Sequence, residues 1–249
     1  MLPCERIGLT DRRLLPMITD DLLALNRQLC EQLFRVPFIP HIPTALRPPA
    51  LVFPLYRKGT ARYSEQEARF LFCHLLHTLD LPYYYSVETP TDQTYQFTGD
   101  YPLSAQSDVS LYGWSGNDLE RMANVEFKAL QPRQNQIDKD ISKLVSEPVP
   151  GNWFHTLKNA DSGTLSALFR KLTEAFARLP RIATARNASI LFCFCVIEKR
   201  WACIRQFQHS GSAESFSRHA ADFFSLSLRV SRGRIHTDAE TPWTIIQPD

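Results

Sequence analysis

Apolar and polar residues alternate in two neighbouring segments of the chain, residues 104 to 112 and residues 122 to 130. A period of two predicts a β-strand with one buried face and one polar face. Residues 113 to 118 lie between the two segments and predict a hairpin loop. We therefore expect the two segments to be antiparallel neighbours in a sheet.

The polar face of these two strands carries the most informative side chains. In the second strand Val125 and Phe127 would face the core. Glu126 and Lys128 alternate with them and would point together to the opposite face. Asp108 occupies the polar face of the first strand. Because adjacent strands lie about 4.8 Å apart, Asp108 and Glu126 would come within reach of one cation.

Five segments repeat apolar residues at helical spacing. The clearest helix follows Ser64, where Glu67 completes a capping box, and Asp161 is the predicted cap of another helix. The first helix would pack on its own chain or pair with a second copy. The predicted helices cover residues 19–34, 63–79, 134–145, 161–179 and 214–226.

Short β-prone segments predict the remaining strands. A turn at Thr89–Asp92 would separate two of them, and residues 198–200 would turn a hairpin. The proline-rich residues 36–54 predict an extended strap across the surface. The predicted strands cover residues 83–87, 93–98, 153–157, 188–197, 201–207, 228–235 and 243–246.

These elements predict an α/β protein. We expect a mixed sheet of about five strands flanked by helices, preceded by a helix and strap and followed by a basic C-terminal extension. The expected division is residues 1–61 for the helix and strap, residues 62–208 for the core, and residues 209–249 for the extension packed on it.

Charge is unevenly distributed along the chain, although the net charge is only +2. Residues 170 to 234 hold twelve Lys or Arg and four Asp or Glu, which gives +8, so the remainder carries −6. A basic C-terminal third suits an anionic polymer such as a nucleic acid. The alternative is an ordinary solvated surface on which arginine stems cover apolar area.

The sequence favours a cytoplasmic protein without a membrane segment. Its first residues lack a charged n-region and an apolar h-region, and the longest apolar run, Ile190 to Ile197, is too short to span a bilayer. Six scattered cysteines without a Cys-x-x-Cys motif fit buried thiols in a reducing compartment. Only nine glycines and no phosphate-cradling loop argue against a nucleotide-dependent enzyme.

Two neighbouring carboxylates and a lysine suit hydrolysis of a phosphodiester bond. Mg²⁺ or Mn²⁺ held by Asp108 and Glu126, with the carbonyl of Phe127 as a third ligand, would relieve negative charge on the phosphate. Lys128 would orient the attacking water or stabilise developing negative charge. If a nearby metal lowered its pKa, Lys128 could instead act as a base.

At these residues the chain resembles the PD-(D/E)xK nuclease superfamily. The match is Gln106–Asp108 on one strand and Glu126–Lys128 on the next. The predicted elements follow the same order as those of the family. This order is helix, strand, strand with aspartate, strand with Glu-x-Lys, helix and strand. Residues 64–69, 107–112 and 124–128 look most like the nuclease domain of type I restriction motor subunits.

The resemblance implies a restriction-endonuclease-like fold for the core and a role for each matched residue. Asp108 and Glu126 would bind the metal, and Lys128 would be the catalytic lysine. Glu65, on the preceding helix, would be the acid that assists a second metal. Glu67 is the alternative for that helix role.

Two positions depart from the family pattern or leave it open. Ser107 stands where the family has a proline before the aspartate. The family's glutamine on the following helix is matched by Gln134 or by Gln136. These departures leave a second interpretation, in which the protein is a catalytically inactive member of the fold that binds nucleic acid or a partner protein.

Further basic residues are candidates for contacts to nucleic-acid phosphates. Lys139 and Lys143 would share a helix face, and Arg200 and Arg205 lie on the predicted hairpin, with a plain solvated charge as the alternative for each. The expected substrate is DNA, in defence, mobile-element processing or repair. Cutting both strands of a duplex favours a homodimer, and recognition would come from the C-terminal third or from a partner subunit.

Overall fold

A large mixed β-sheet with helices on both faces organises the chain, which confirms the α/β class. The computed structural model describes residues 14–39, 41–45, 50–95, 103–179, 186–225, 228–231, 234–237 and 241–248. None of the described helices has the length and apolar character that a membrane crossing needs.

The helices lie close to their predicted positions. They are α1 Leu14–Leu33, α2 Glu65–Thr78, α3 Gln134–Ser146, α4 Ser162–Ala177 and α5 Ala213–Phe224. The capping box of Ser64 and Glu67 at the start of α2 is confirmed, as is the cap of α4 by Asp161. Helix α1 begins several residues earlier than its apolar spacing indicates.

Most of the strands join one sheet. They are β1 Tyr84–Tyr95, β2 Leu103–Ser115, β3 Asp118–Ala129, β4 Gly151–Leu157, β5 Arg186–Val196, β6 Trp201–Gly211, β7 Leu228–Ser231, β8 Arg234–Thr237 and β9 Thr244–Ile246. The sheet has the order β1-β2-β3-β4-β5-β6-β9, and β7 pairs separately with β8. Strand β4 is parallel to β3 and β5, whereas the other neighbouring strands are antiparallel.

The sheet therefore has seven strands rather than about five. The hairpin of β5 and β6 extends it, and β9 adds an edge strand through the pairing of Ala202 with Ile246. The predicted extension, residues 209–249, thus shares the sheet of the core. A strand of three residues is too short for its periodicity to reveal which sheet it joins.

Two separate hydrophobic cores bury the two faces of the sheet. Helices α1 and α2 cover one face, where Phe72 packs against Phe127 of β3. Helices α3, α4 and α5 cover the other face, where Phe176 packs against Phe207. Every residue of β4 is buried, as expected for a strand covered on both sides. Of the two alternatives for α1, packing on its own chain or pairing with a second copy, the structure shows the first.

The proline-rich strap is fastened mainly at one residue in its described parts. Phe53 is fully buried and forms an isolated β-bridge with Phe38. Phe38 and Ile39 remain 40% and 41% exposed, so they hold the strap less firmly than Phe53 does.

Strand β1 runs unbroken through the segment predicted to turn. The expected turn at residues 89–92 is wrong, because β1 continues to Tyr95. Its register against β2 shifts between Pro90 and Thr94, which makes the segment an irregularity within a single strand. Bulges of this kind lie preferentially at sheet edges and beside active sites.

Glu147, directly after α3, holds this irregular stretch of β1. Its Oε1 accepts hydrogen bonds from the backbone N–H of Gln93 at 3.1 Å and the hydroxyl of Tyr95 at 2.9 Å. Its Oε2 accepts from the backbone N–H of Asp92 at 3.0 Å and from Nη1 of Arg121 at 3.1 Å. These donors come from distant parts of the chain, so the local pattern could not show that the strand continues.

We expect Glu147→Gln to lower the free energy of unfolding by about 2 kcal/mol, because its buried carboxylate loses its charge and Arg121 keeps only Asp92 as a charged partner. The measurement is urea unfolding of the variant and of wild type. Glu174→Gln on the surface of α4 is the matched control and should cost less than about 0.5 kcal/mol. Equal losses in the two variants would contradict the role of Glu147.

Candidate active site

The side chain of Asp108 joins β2 to β3. Its Oδ2 accepts a hydrogen bond from the backbone N–H of Phe127 at 2.7 Å. Backbone pairing of the two strands begins one residue further along, with Val109 opposite Val125. The carboxylate thus bridges the strands where their ladder ends, and its charge acts on the neighbouring Glu126.

Glu126 lies on the face of β3 that α3 covers. Val125 and Phe127 point to the opposite face and are fully buried, which confirms the predicted alternation. Glu126 itself is only 1% exposed. Its Oε1 forms an ion pair at 2.7 Å with Nζ of Lys143, whereas its Oε2 is buried without a hydrogen-bond partner.

One carboxylate of α3, that of Asp140, holds both lysines of the site. Its Oδ1 is 2.8 Å from Nζ of Lys143, and its Oδ2 is 2.8 Å from Nζ of Lys128. Lys143 also donates a hydrogen bond to the carbonyl of Gln106 at 2.7 Å. Together with Glu126, these residues form one continuous network of charges between β3 and α3.

The sequence did not single out Asp140, and it did not show that Lys143 pairs with Asp140 and Glu126. Asp140 and Lys143 lie three apart on α3 and share one of its faces, but helical spacing does not indicate what a face meets. Only 3% of the Lys143 side chain is exposed, and three acceptors surround its ammonium. The ammonium of Lys143 is therefore held inside the protein, and its contact to a phosphate stays a prediction.

Burial and mutual pairing decide the charges of the network. Burial raises the pKa of Glu126 well above its usual range, and the carboxylate of Asp140 adds to this effect. Burial by itself would raise the pKa of Asp140. The ammonium groups of Lys143 and Lys128 outweigh this effect and lower the pKa. Burial by itself would lower the pKa of Lys128. The carboxylates of Asp140 and Asp108 outweigh this effect and raise the pKa. Lys128 as a low-pKa base would require a bound metal, and that alternative stays a prediction.

Glu65 stands in the first turn of α2, close to the same charges. Burial raises its pKa, and the charges of Lys128 and Asp108 act on it. Glu67 faces its own helix cap instead, where its Oε2 accepts a hydrogen bond from the backbone N–H of Ser64 at 2.9 Å. Of the two candidates for the helix acid, Glu65 is the one that lies near the site.

Neither candidate glutamine is directed at the site. Nε2 of Gln134 donates to Oδ1 of Asp138 at 2.7 Å and to the carbonyl of Lys171 at 2.9 Å. Oε1 of Gln136 accepts from the backbone N–H of Arg133 at 2.9 Å. Both amides are engaged around the start of α3, and the site is met by residues further along that helix.

Arg205 packs against α5. Its Nη1 donates to the carbonyl of Phe223 at 2.6 Å, and its guanidinium lies 4.2 Å from the centre of the Phe223 ring. Helix α5 packs over Arg205, and a contact of its other N–H groups to phosphate stays a prediction. Lys139 and Arg200 are exposed, and their contacts to phosphate stay predictions.

His155 is a buried imidazole beside the site that the sequence did not single out. It lies opposite Lys128 where β3 pairs with β4, and its Nε2 is 2.9 Å from the carbonyl oxygen of Leu130. Burial lowers the pKa of His155 to about 4, and the charge of Lys128 acts in the same direction. The neutral ring therefore donates from Nε2, and Nδ1 has no hydrogen-bond partner.

We expect His155 to make the protein less stable as the pH falls from about 6.5 to about 4. Over this range the imidazole is protonated in the unfolded chain and neutral in the folded protein, so acid favours unfolding. The expected loss of unfolding free energy is about 2 kcal/mol between pH 7 and pH 5. Urea unfolding at both values measures it. His155→Gln keeps a donor for Leu130 and should remove this part of the pH dependence, whereas the exposed His77→Gln should not. An unchanged pH dependence in His155→Gln would contradict the assignment.

The site suits a divalent ion that is held by two carboxylates and otherwise by water, rather than an ion that protein side chains surround completely. Among the residues that the structure describes, no three His, Cys, Asp or Glu side chains come together as a metal cage. Mg²⁺ needs only one or two carboxylates and keeps several waters. Asp108 and Glu126 supply two carboxylates, and the unpartnered Oε2 of Glu126 is an acceptor that a cation would satisfy.

Comparison with protein-family models, curated proteins and solved structures gave no match. The resemblance to the PD-(D/E)xK superfamily therefore rests on the residues of this chain alone.

Proposed function

We propose that the protein is a metal-dependent nuclease that hydrolyses phosphodiester bonds of DNA. The observation that carries this proposal is the grouping of Asp108, Glu126 and Lys128 at one end of the paired strands β2 and β3. Two carboxylates that can hold a divalent ion and one ammonium beside them are what charge relief on a phosphate requires.

Each residue of the site would have a separate role. Asp108 and Glu126, with the carbonyl of Phe127, would hold Mg²⁺ or Mn²⁺. The bound ion would supply charge neutralisation at the phosphate and a water of lowered pKa. Lys128 keeps its positive charge because Asp140 pairs with it, and it would stabilise negative charge that develops on the phosphate.

The order of the elements supports the same proposal. Along the chain come α2, β1, β2 with Asp108, β3 with Glu126 and Lys128, then α3 and β4. This is the order that the resemblance to PD-(D/E)xK nucleases implies. Glu65 at the start of α2 would be the acid that assists a second ion. A second copy of the chain would serve duplex cutting, and a partner subunit could supply recognition.

Cleavage of supercoiled plasmid, linear duplex, single-stranded DNA and RNA tests the proposal. Wild type should cut DNA with Mg²⁺ or Mn²⁺ and not with EDTA. Glu126→Gln and Lys128→Met should each lower the rate at least about 100-fold, because each removes charge stabilisation from the transition state. Asp138→Asn and Lys158→Met, whose charges form ion pairs elsewhere on the surface, are matched controls.

Two outcomes would count against the nuclease. One is the absence of cutting by folded wild type on every substrate. The other is an equal loss of rate in the site variants and in the surface controls, which would mean that the loss does not arise at the site.

Binding of the ion should also stabilise the folded protein. At a hundredfold excess of Mn²⁺ over its dissociation constant, the expected gain in unfolding free energy is about 2.7 kcal/mol. Asp108→Asn should abolish most of this gain, since it removes a ligand, and Asp138→Asn should keep it. Thermal unfolding with and without the ion is the measurement. A gain that persists in Asp108→Asn would place the ion elsewhere.

A catalytically inactive binding module is the second candidate. It is favoured by the pairing of Glu126 with Lys143 and of Lys128 with Asp140, which neutralises the expected catalytic groups within the protein. This candidate predicts that labelled duplex binds equally to wild type and to Glu126→Gln in EDTA. Such binding, without cutting in Mg²⁺, would favour the module over the nuclease.

A further inference from the structure

Lys143 is enclosed by acceptors within the proposed metal site. Its Nζ lies 2.7 Å from Oε1 of Glu126, 2.8 Å from Oδ1 of Asp140 and 2.7 Å from the carbonyl oxygen of Gln106. The contact to Gln106 is a hydrogen bond, and the contacts to Glu126 and Asp140 are ion pairs. Only 3% of the Lys143 side chain is exposed, so its charge acts inside the protein.

A buried carboxylate such as that of Glu126 requires a cation beside it. An ionised carboxylate that is removed from water and left alone is strongly unfavourable. Glu126 is 1% exposed, and Lys143 supplies a cation from within the chain. Because the same carboxylate is a proposed ligand of a divalent ion, two cations would compete for one acceptor.

We propose that Lys143 is the built-in counter-ion of Glu126, and that a divalent ion binds at Asp108 and Glu126 in competition with its ammonium. This inference rests on the proposed function. An ammonium that withdraws from Glu126 keeps its ion pair with Oδ1 of Asp140, so the exchange leaves no lysine unpaired. Lys143 thus weakens metal binding while it holds the buried acid in place.

Lys128 does not share this role. Its ammonium pairs with Oδ2 of Asp140, and 14% of its side chain is exposed, against 3% for Lys143. Lys143 is therefore the cation that contacts the ligand carboxylate, and Lys128 is the one more open to a substrate. Asp140 separates the two roles because it holds one lysine with each oxygen.

Titration with Mn²⁺, followed by the electron paramagnetic resonance signal of the free ion, measures affinity independently of catalysis. Lys143→Met removes the charge, and Lys143→Gln removes it but keeps a donor for Glu126 and Gln106. Both variants should bind Mn²⁺ at least about tenfold more tightly than wild type, because a repelling charge beside the ligand is gone. The matched control, Lys158→Met, should leave the affinity unchanged.

The Gln variant decides the question if the Met variant does not fold. A gain below tenfold, or any loss of affinity, in a folded Lys143 variant would overturn the counter-ion role and leave Lys143 a structural partner only. Asp108→Asn, alone and combined with Lys143→Gln, shows whether the measured binding occurs at the site. Asp108→Asn is expected to abolish Mn²⁺ binding both on its own and when it is combined with Lys143→Gln.

Failure of the proposed function would look different. In that case folded wild type and the Lys143 variants would all bind no Mn²⁺ that depends on Asp108. The metal site itself would then be wrong, and the counter-ion role would fall with it. Normal binding by wild type with no gain in either Lys143 variant would instead refute the counter-ion role alone.

Discussion

Burial of charged side chains between β3 and α3 is the constraint on which the site depends. Glu126, Lys128, Asp140 and Lys143 are largely removed from water, and each would be costly by several kcal/mol if it lacked a partner. Contacts of 2.7 to 2.8 Å offset this cost. A slide or rotation of α3 would break them, so the charges that serve the site also hold the helix in register against the sheet.

The same helix shapes the edge of the sheet next to the site. Glu147, just beyond α3, accepts hydrogen bonds from backbone amides in the irregular part of β1, and Lys143 donates to the carbonyl of Gln106 on β2. Pro90 pairs with Gln106 where the register of β1 begins to shift. Two residues further along β2, Asp108 reaches across to β3. The bulge, the helix and the carboxylate of the site therefore meet in one place.

Packing on the other face keeps β3 rigid behind the charges. Phe127 lies between Glu126 and Lys128 of β3 and makes ring contacts with Phe72 and Phe154. Helix α1 covers the same core, and Asn26 exchanges two hydrogen bonds with Asn152 of β4. Close packing of this kind resists small displacements, as the proposed nuclease site would require.

The sequence by itself determined the faces of the central strands, the cap of α2 and the position of α3, because period and capping are local properties. It therefore brought Asp108 and Glu126 to one polar face. Only the tertiary structure decided that Asp140 joins them, that Lys143 pairs with Glu126, and that β1 continues past its expected turn. A buried lysine and a solvated lysine look alike in a sequence, and a partner that lies far along the chain leaves no local pattern.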